Sequence, residues 1–118
     1  MRDFKQLDIW TRSFALVRKI YLLTNQLPQE ELYGLRSQIN RAAISIPSNI
    51  AEECGRGSNA ELRRFLTISI GSAYELETQL LLANELFQVS NVENILTELN
   101  EIQKMMIGYK KYVETKIE

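Results

Sequence analysis

Histidine is missing from this chain altogether. With it go the usual general base near neutral pH and the commonest imidazole metal ligand. The same absence excludes a di-iron carboxylate bundle, which needs Glu-x-x-His on two of its helices. There is one cysteine, Cys54, so no intramolecular disulfide can form and a reducing compartment suits the chain. Five glycines and two prolines are too few for a domain of many short strands and turns. No run approaches the ~18 consecutive apolar residues of a membrane span. The opening MRDFKQLDIW is charged every few residues where a signal peptide has its apolar stretch. These absences lead us to expect a small cytoplasmic domain that is not an enzyme. No cofactor, no metal, no membrane and no small-molecule substrate is expected for it.

What is present is ordinary in amount and uneven in placement. Apolar residues make up 45% and charged residues 25% of 118, the balance of one globular domain spanning residues 1–118. Net charge is −1. From Phe65 to Gln103 there is no Lys or Arg, while Glu75, Glu77, Glu85, Glu93, Glu98 and Glu101 fall in that stretch. All the cations therefore lie in the two flanking segments.

Apolar spacing reads as helix almost throughout. Leu7, Trp10, Phe14, Val17 and Tyr21 recur at steps of three and four, after Asp3 and Gln6, which resemble a capping box. Thr24–Gln29, with Pro28 inside it, ends this first helix. Leu32, Leu35, Ile39, Ala42, Ile46 and Ile50 mark a second, ending where Gly55 or Gly57 can take the left-handed position. Pro47 lies inside it and predicts a kink; two short helices broken near Ile46 are the alternative. Ser58 and Glu61 form a capping box before a third helix running to Phe87. Ser90 and Glu93 form another before a fourth, whose seam runs from Val92 to Val113. The expected fold is all-α: an antiparallel up-down-up-down four-helix bundle with a proline-kinked second helix.

Two helices are more apolar than one core stripe requires. The first adds Ile9, Leu16, Ile20, Leu23 and Leu27; the third adds Leu66, Ile68, Ile70, Leu81 and Leu82. Contiguous exposed apolar patches are rare on monomers, so the surplus points to a subunit interface. Ile9, Leu16, Ile20, Leu23, Ile68 and Ile70 are the candidate interface residues. A wider core is the competing explanation.

Few residues offer chemistry. Cys54 follows Glu52 and Glu53, which disfavour a thiolate, and it reads as structural. Glu75 and Glu77 are two apart and point to different sides of a helix, so they form no acid/base pair. Gly55-Arg56-Gly57 before a helix start faintly resembles an anion cradle, but it lacks the P-loop Lys-Ser/Thr pair; a turn is the plainer reading. The cations are more telling. An up-down-up-down bundle gathers Arg2, Lys5, Arg56, Arg63, Arg64, Lys110, Lys111 and Lys116 at one pole. Such a cluster attracts polyanions, while Glu52, Glu53, Glu61 and Glu114 offset part of it. The candidate nucleic-acid-binding residues are Arg56, Arg63, Arg64, Lys110 and Lys111.

The runs IYLLTNQLPQEELYGLRSQINRAAISIPSNIAEECGR (20–56) and ELRRFLTISIGSAYELETQL (61–80) carry a further signal. They resemble the bacterial four-helix bundle family encoded in intervening sequences of 23S ribosomal RNA genes. The resemblance implies a ring-shaped homo-oligomer, a homopentamer, with no enzymatic activity. It also implies kinship with the basic, nucleic-acid-binding accessory proteins of diversity-generating retroelements. Two positions depart from the family's pattern. Asn40 stands where a second basic residue often precedes Arg41, and Glu53 where glycine is usual; both are expected to make the surface more negative. Arg36, Arg41, Ser48, Asn49, Glu52 and Glu75 match the family and also fit staples between the second helix and its neighbours. The expected function is therefore an oligomeric accessory protein associated with RNA or DNA, holding phosphate backbone without sequence specificity. The alternative is a protein–protein interaction scaffold that binds no nucleic acid.

Overall fold

The computed structural model describes residues 3–117. A 3-10 turn at Phe4–Gln6 leads into α1 (Asp8–Thr24), and a second at Gln29–Glu31 precedes α2 (Leu35–Cys54). Then follow α3 (Asn59–Phe87) and α4 (Val92–Glu114), and no strand occurs among the described residues. Cross-helix bonds give the directions. Ser45 and Ser72 lie 2.9 Å apart, and Ser69 donates to the Ile46 carbonyl at 3.2 Å, so numbering rises on α2 as it falls on α3. Arg12 meets Glu101 at 3.4 Å and Lys19 meets Glu98 at 3.0 Å, which sets α1 against α4 in the same way. α1 and α3 each pack on both α2 and α4, closing a four-cornered bundle of 48 × 22 × 20 Å.

All four helices feed one core, in which Ile20, Ile39, Ile50, Leu66, Leu76 and Leu99 are fully buried. Burying each such side chain contributes roughly 1.5–3 kcal/mol. The interior also holds polar side chains, and four of them, Ser13, Thr24, Ser69 and Gln103, donate to carbonyls. Ser13 donates to Trp10, Thr24 to Tyr21, and Gln103 reaches the Ala73 carbonyl at 3.3 Å and Glu77 at 2.9 Å.

The ends of the helices partly follow the sequence reading. Ser58 caps α3 as expected, accepting from the Glu61 amide at 3.1 Å. Asp3 instead caps the first 3-10 turn, accepting from the Lys5 amide, and α1 begins without a side-chain cap. Asn91, at φ 70, precedes α4, so Ser90 does not cap it. α2 runs unbroken through Pro47, which is buried. Proline has no N–H, so the Ala43 carbonyl loses its usual partner. One turn on, Asn49 donates to the Ser45 carbonyl at 2.8 Å and to its hydroxyl at 2.9 Å.

The interface residues expected on α1 need correcting. Ile9, Leu16, Ile20 and Leu23 are buried in the chain's own core, as is Ile70 on α3; only Ile68 is exposed. On α1 the inward row and the outward row have exchanged places. Trp10 and Val17 are half-buried, while Phe14 and Tyr21 are open to solvent. The two rows lie about 130° apart, so together they span roughly half the helix and periodicity cannot say which row turns inward.

Candidate nucleic-acid and protein interfaces

The turn between α2 and α3 holds Arg56. Gly57 makes the turn, with φ +85, a conformation that glycine adopts without strain. Gly55 stays right-handed. Arg56 pairs with Glu52 at 3.0 Å and lies over the Phe65 ring, 5.5 Å from its centre. Arg64 pairs with Glu61 at 3.4 Å and lies 5.1 Å from the same centre. Two guanidinium groups are thus held at one nearly buried ring, and Arg63 beside them is exposed. The antiparallel pairing brings the end of α4 to this same pole. Helical phase sets Lys110 on the side of α4 that carries Gln103 and faces α3, while Lys111, about 80° further round, is exposed to solvent. Lys5 and Lys116 lie over Phe4 and Tyr112; Arg2 is outside the described residues.

Of the acids expected to offset this pole, Glu52 and Glu61 do form pairs, in solvent, where such pairs contribute about 0–1 kcal/mol. Glu53 is buried and accepts from the Cys54 thiol at 3.0 Å, so it adds nothing to the outer surface. Asn40 is half-buried and bonds to the Thr24 hydroxyl at 3.0 Å, joining α2 to α1. Both departures from the family pattern therefore sit in packing positions. Arg36 does staple α2 to its neighbour, reaching Asn25 at 2.6 Å. Asn49 bonds within α2, Glu52 pairs with Arg56 in the turn that follows, and Ser48, Arg41 and Glu75 face solvent.

A second surface was missed by the sequence reading. Between α1 and α2 runs an open apolar groove of about 600 Å³. Phe4, Trp10 and Phe14 line it as a chain of rings, with centres 5.1 and 4.8 Å apart. Ile44, Pro47 and Ala51 form the α2 side, and Arg18 stands among the lining residues. At Tyr21 the groove continues into a hollow lined by Tyr33, Arg36 and Arg41. The signal was the aromatic row itself, together with Pro47, which places a ring rather than a polar group on that face.

A third surface is convex. Past its first turns, α3 exposes Ile68, Tyr74, Leu81, Leu82 and Leu86, with Glu75 and Glu85 among them. Among the described residues, no three His, Cys, Asp or Glu side chains are placed to hold a metal ion. No described helix is long and apolar enough to cross a membrane.

Fold and surfaces together define an antiparallel four-helix bundle with arginines gathered at one end and two apolar faces open to solvent. The chain belongs to the family described as 23S rRNA-intervening sequence protein, which it matches over residues 5–108. It is similar to a crystal structure from Bacteroides thetaiotaomicron, titled a protein with unknown function from the S23 ribosomal protein family. The two share 26% identity with a TM-score of 0.79, over 87% of this chain and 98% of that one. Among curated proteins, none matches the sequence.

Proposed function

We propose that this protein is a non-enzymatic, self-associating bundle that attaches to RNA or DNA through phosphate contacts at the α2–α3 end. The observation that carries this reading is the pair Arg56 and Arg64 seated on one Phe65 ring beside an exposed Arg63. The ring limits the freedom of two long side chains, so less ordering is lost when a phosphate arrives. Amides and the dipole at the start of α3 add to the attraction. The exposed pairs with Glu52 and Glu61 are weak, and a nucleic acid offers a row of phosphates whose counterions are released on contact. The family description names the 23S rRNA intervening sequence and the neighbour's description the S23 ribosomal protein family, which makes RNA the first polyanion to test. Cytoplasmic placement follows from that partner.

The test is binding of a structured RNA across a salt series, followed by light scattering. Replacing Arg63 and Arg64 together by Glu should abolish binding and leave the assembly intact. Equal binding by that variant moves the site elsewhere. Wild-type protein that binds neither RNA nor DNA near ~50 mM salt, where phosphate contacts are strongest, overturns the reading. A scaffold that binds only protein would then remain, carried by the apolar groove between α1 and α2.

A further inference from the structure

We propose that the α1/α2 groove of one copy receives the outer face of α3 from a second copy, with Arg18 and Arg41 meeting Glu75 and Glu85 at the rim. The inference rests on the self-association proposed above and assigns its two faces.

Shape and length match. The groove is concave between two helices, and α3 presents a single convex ridge of the kind that packs into such a cleft. Trp10 to Tyr21 covers about 16 Å of the groove, and Tyr74 to Leu86 about 18 Å of the ridge. Exposure matches as well. Phe14 is 60% exposed in the groove and Leu86 63% on the ridge, with Tyr21, Ile44, Leu81 and Leu82 also open. Solvation of this much contiguous apolar surface is unfavourable, and covering it is a sufficient drive for association.

Charge chooses between the pairings. The described residues lining the groove and its continuation include Arg18, Arg36 and Arg41 and no acid. From Phe65 onward α3 carries no Lys or Arg, and its exposed charges are Glu75 and Glu85. Arg18, Arg41, Glu75 and Glu85 make no ion pair among the described residues, so all four are available to a partner. Groove against groove would set arginine against arginine, and ridge against ridge glutamate against glutamate. Only groove against ridge brings opposite charges together. The joint is therefore head-to-tail. Each copy keeps one open groove and one open ridge until a ring closes.

Complementation between two broken faces tests this. Phe14→Glu spoils the groove, and Leu82→Glu with Leu86→Glu spoils the ridge; all three positions are exposed, and circular dichroism confirms that both variants fold. Each variant alone should scatter as a 13.7 kDa monomer. Mixed, they should form one species of twice that mass and nothing larger, because one intact groove meets one intact ridge and the remaining faces both carry added acid. Wild-type protein at 13.7 kDa overturns self-association, and the joint falls with it. An assembled wild type with either variant equally assembled overturns the joint alone. Dissociated variants that do not combine overturn the head-to-tail pairing. For the rim, Arg18→Glu with Arg41→Glu should weaken assembly by about tenfold or more, the effect of ~1.4 kcal/mol. Glu75→Arg with Glu85→Arg, added to the same chain, should restore it. Failure to restore overturns the charge pairing.

Discussion

Ile20 and Phe14 lie within two turns of each other on α1, yet the first is fully buried and the second is 60% exposed. Both belong to apolar rows of regular spacing, and nothing in that spacing ranks one above the other. Arg12 and Lys19 border the apolar arc on one side and Arg18 on the other, so its midpoint falls between the rows. What decides is tertiary: the aliphatic row packs into the shared core, and that rotation also leaves Arg12 and Lys19 within reach of Glu101 and Glu98 on α4. Ile20→Glu should accordingly unfold the chain rather than dissociate an assembly. Truncating such a residue to alanine already costs about 2–5 kcal/mol, and a desolvated carboxylate adds to that. A domain of this size holds only about 5–15 kcal/mol in all. Loss of the helical circular dichroism signal at 25 °C is the expected result. A folded monomer would return Ile20 to the interface.

Helices were legible as elements because each keeps its stripe for many turns, and α3 also has a true cap in Ser58. Their ends were less so where distant residues intervene. Ser90 had the sequence of a cap, but its amide donates to Gln26 at 2.8 Å and its carbonyl accepts from the same side chain at 3.1 Å. A partner 64 positions away fixes that turn, and no local pattern records it. Pro47 shows the opposite case, a strong local signal that the element absorbs, since α2 continues through it. An interior proline disfavours a helix by ~3 kcal/mol relative to alanine. Against this, Pro47→Ala removes two buried carbons from the groove, at about 0.8 kcal/mol each, and loosens the unfolded chain by under about 1 kcal/mol. The opposing effects nearly cancel. Urea unfolding of the variant should shift by no more than about 1 kcal/mol, while its self-association weakens because the groove has changed shape. Unchanged assembly would mean that Pro47 serves the helix alone.

Across the whole molecule, a small net charge conceals a strong separation. Arginines and lysines crowd the α2–α3 end, and the long middle stretch holds only acids. The sequence showed that separation plainly, because it depends on residue order and on antiparallel helices. It did not show the groove, which exists only once the aromatic row of α1 meets Ile44 and Pro47 of α2. The two features combine in one expectation. If copies join groove to ridge, each adds its own arginine cluster to the assembly, and a polyanion touching several clusters gains by multivalency. Phosphates neutralised add to the salt slope, at roughly 0.7–0.9 per contact. The Leu82→Glu, Leu86→Glu variant supplies the comparison. Leu82 lies about 27 Å along α3 from Arg64, well beyond the screening length of about 10 Å near 0.1 M salt, so its new charges barely act on the arginines. Wild type should bind RNA at least about tenfold more tightly than this dissociated variant, with a steeper fall of log affinity against log salt. Filter binding at several salt concentrations measures both. Equal slopes for the assembly and the single copy would show that each RNA touches one cluster only, and that assembly contributes nothing to binding.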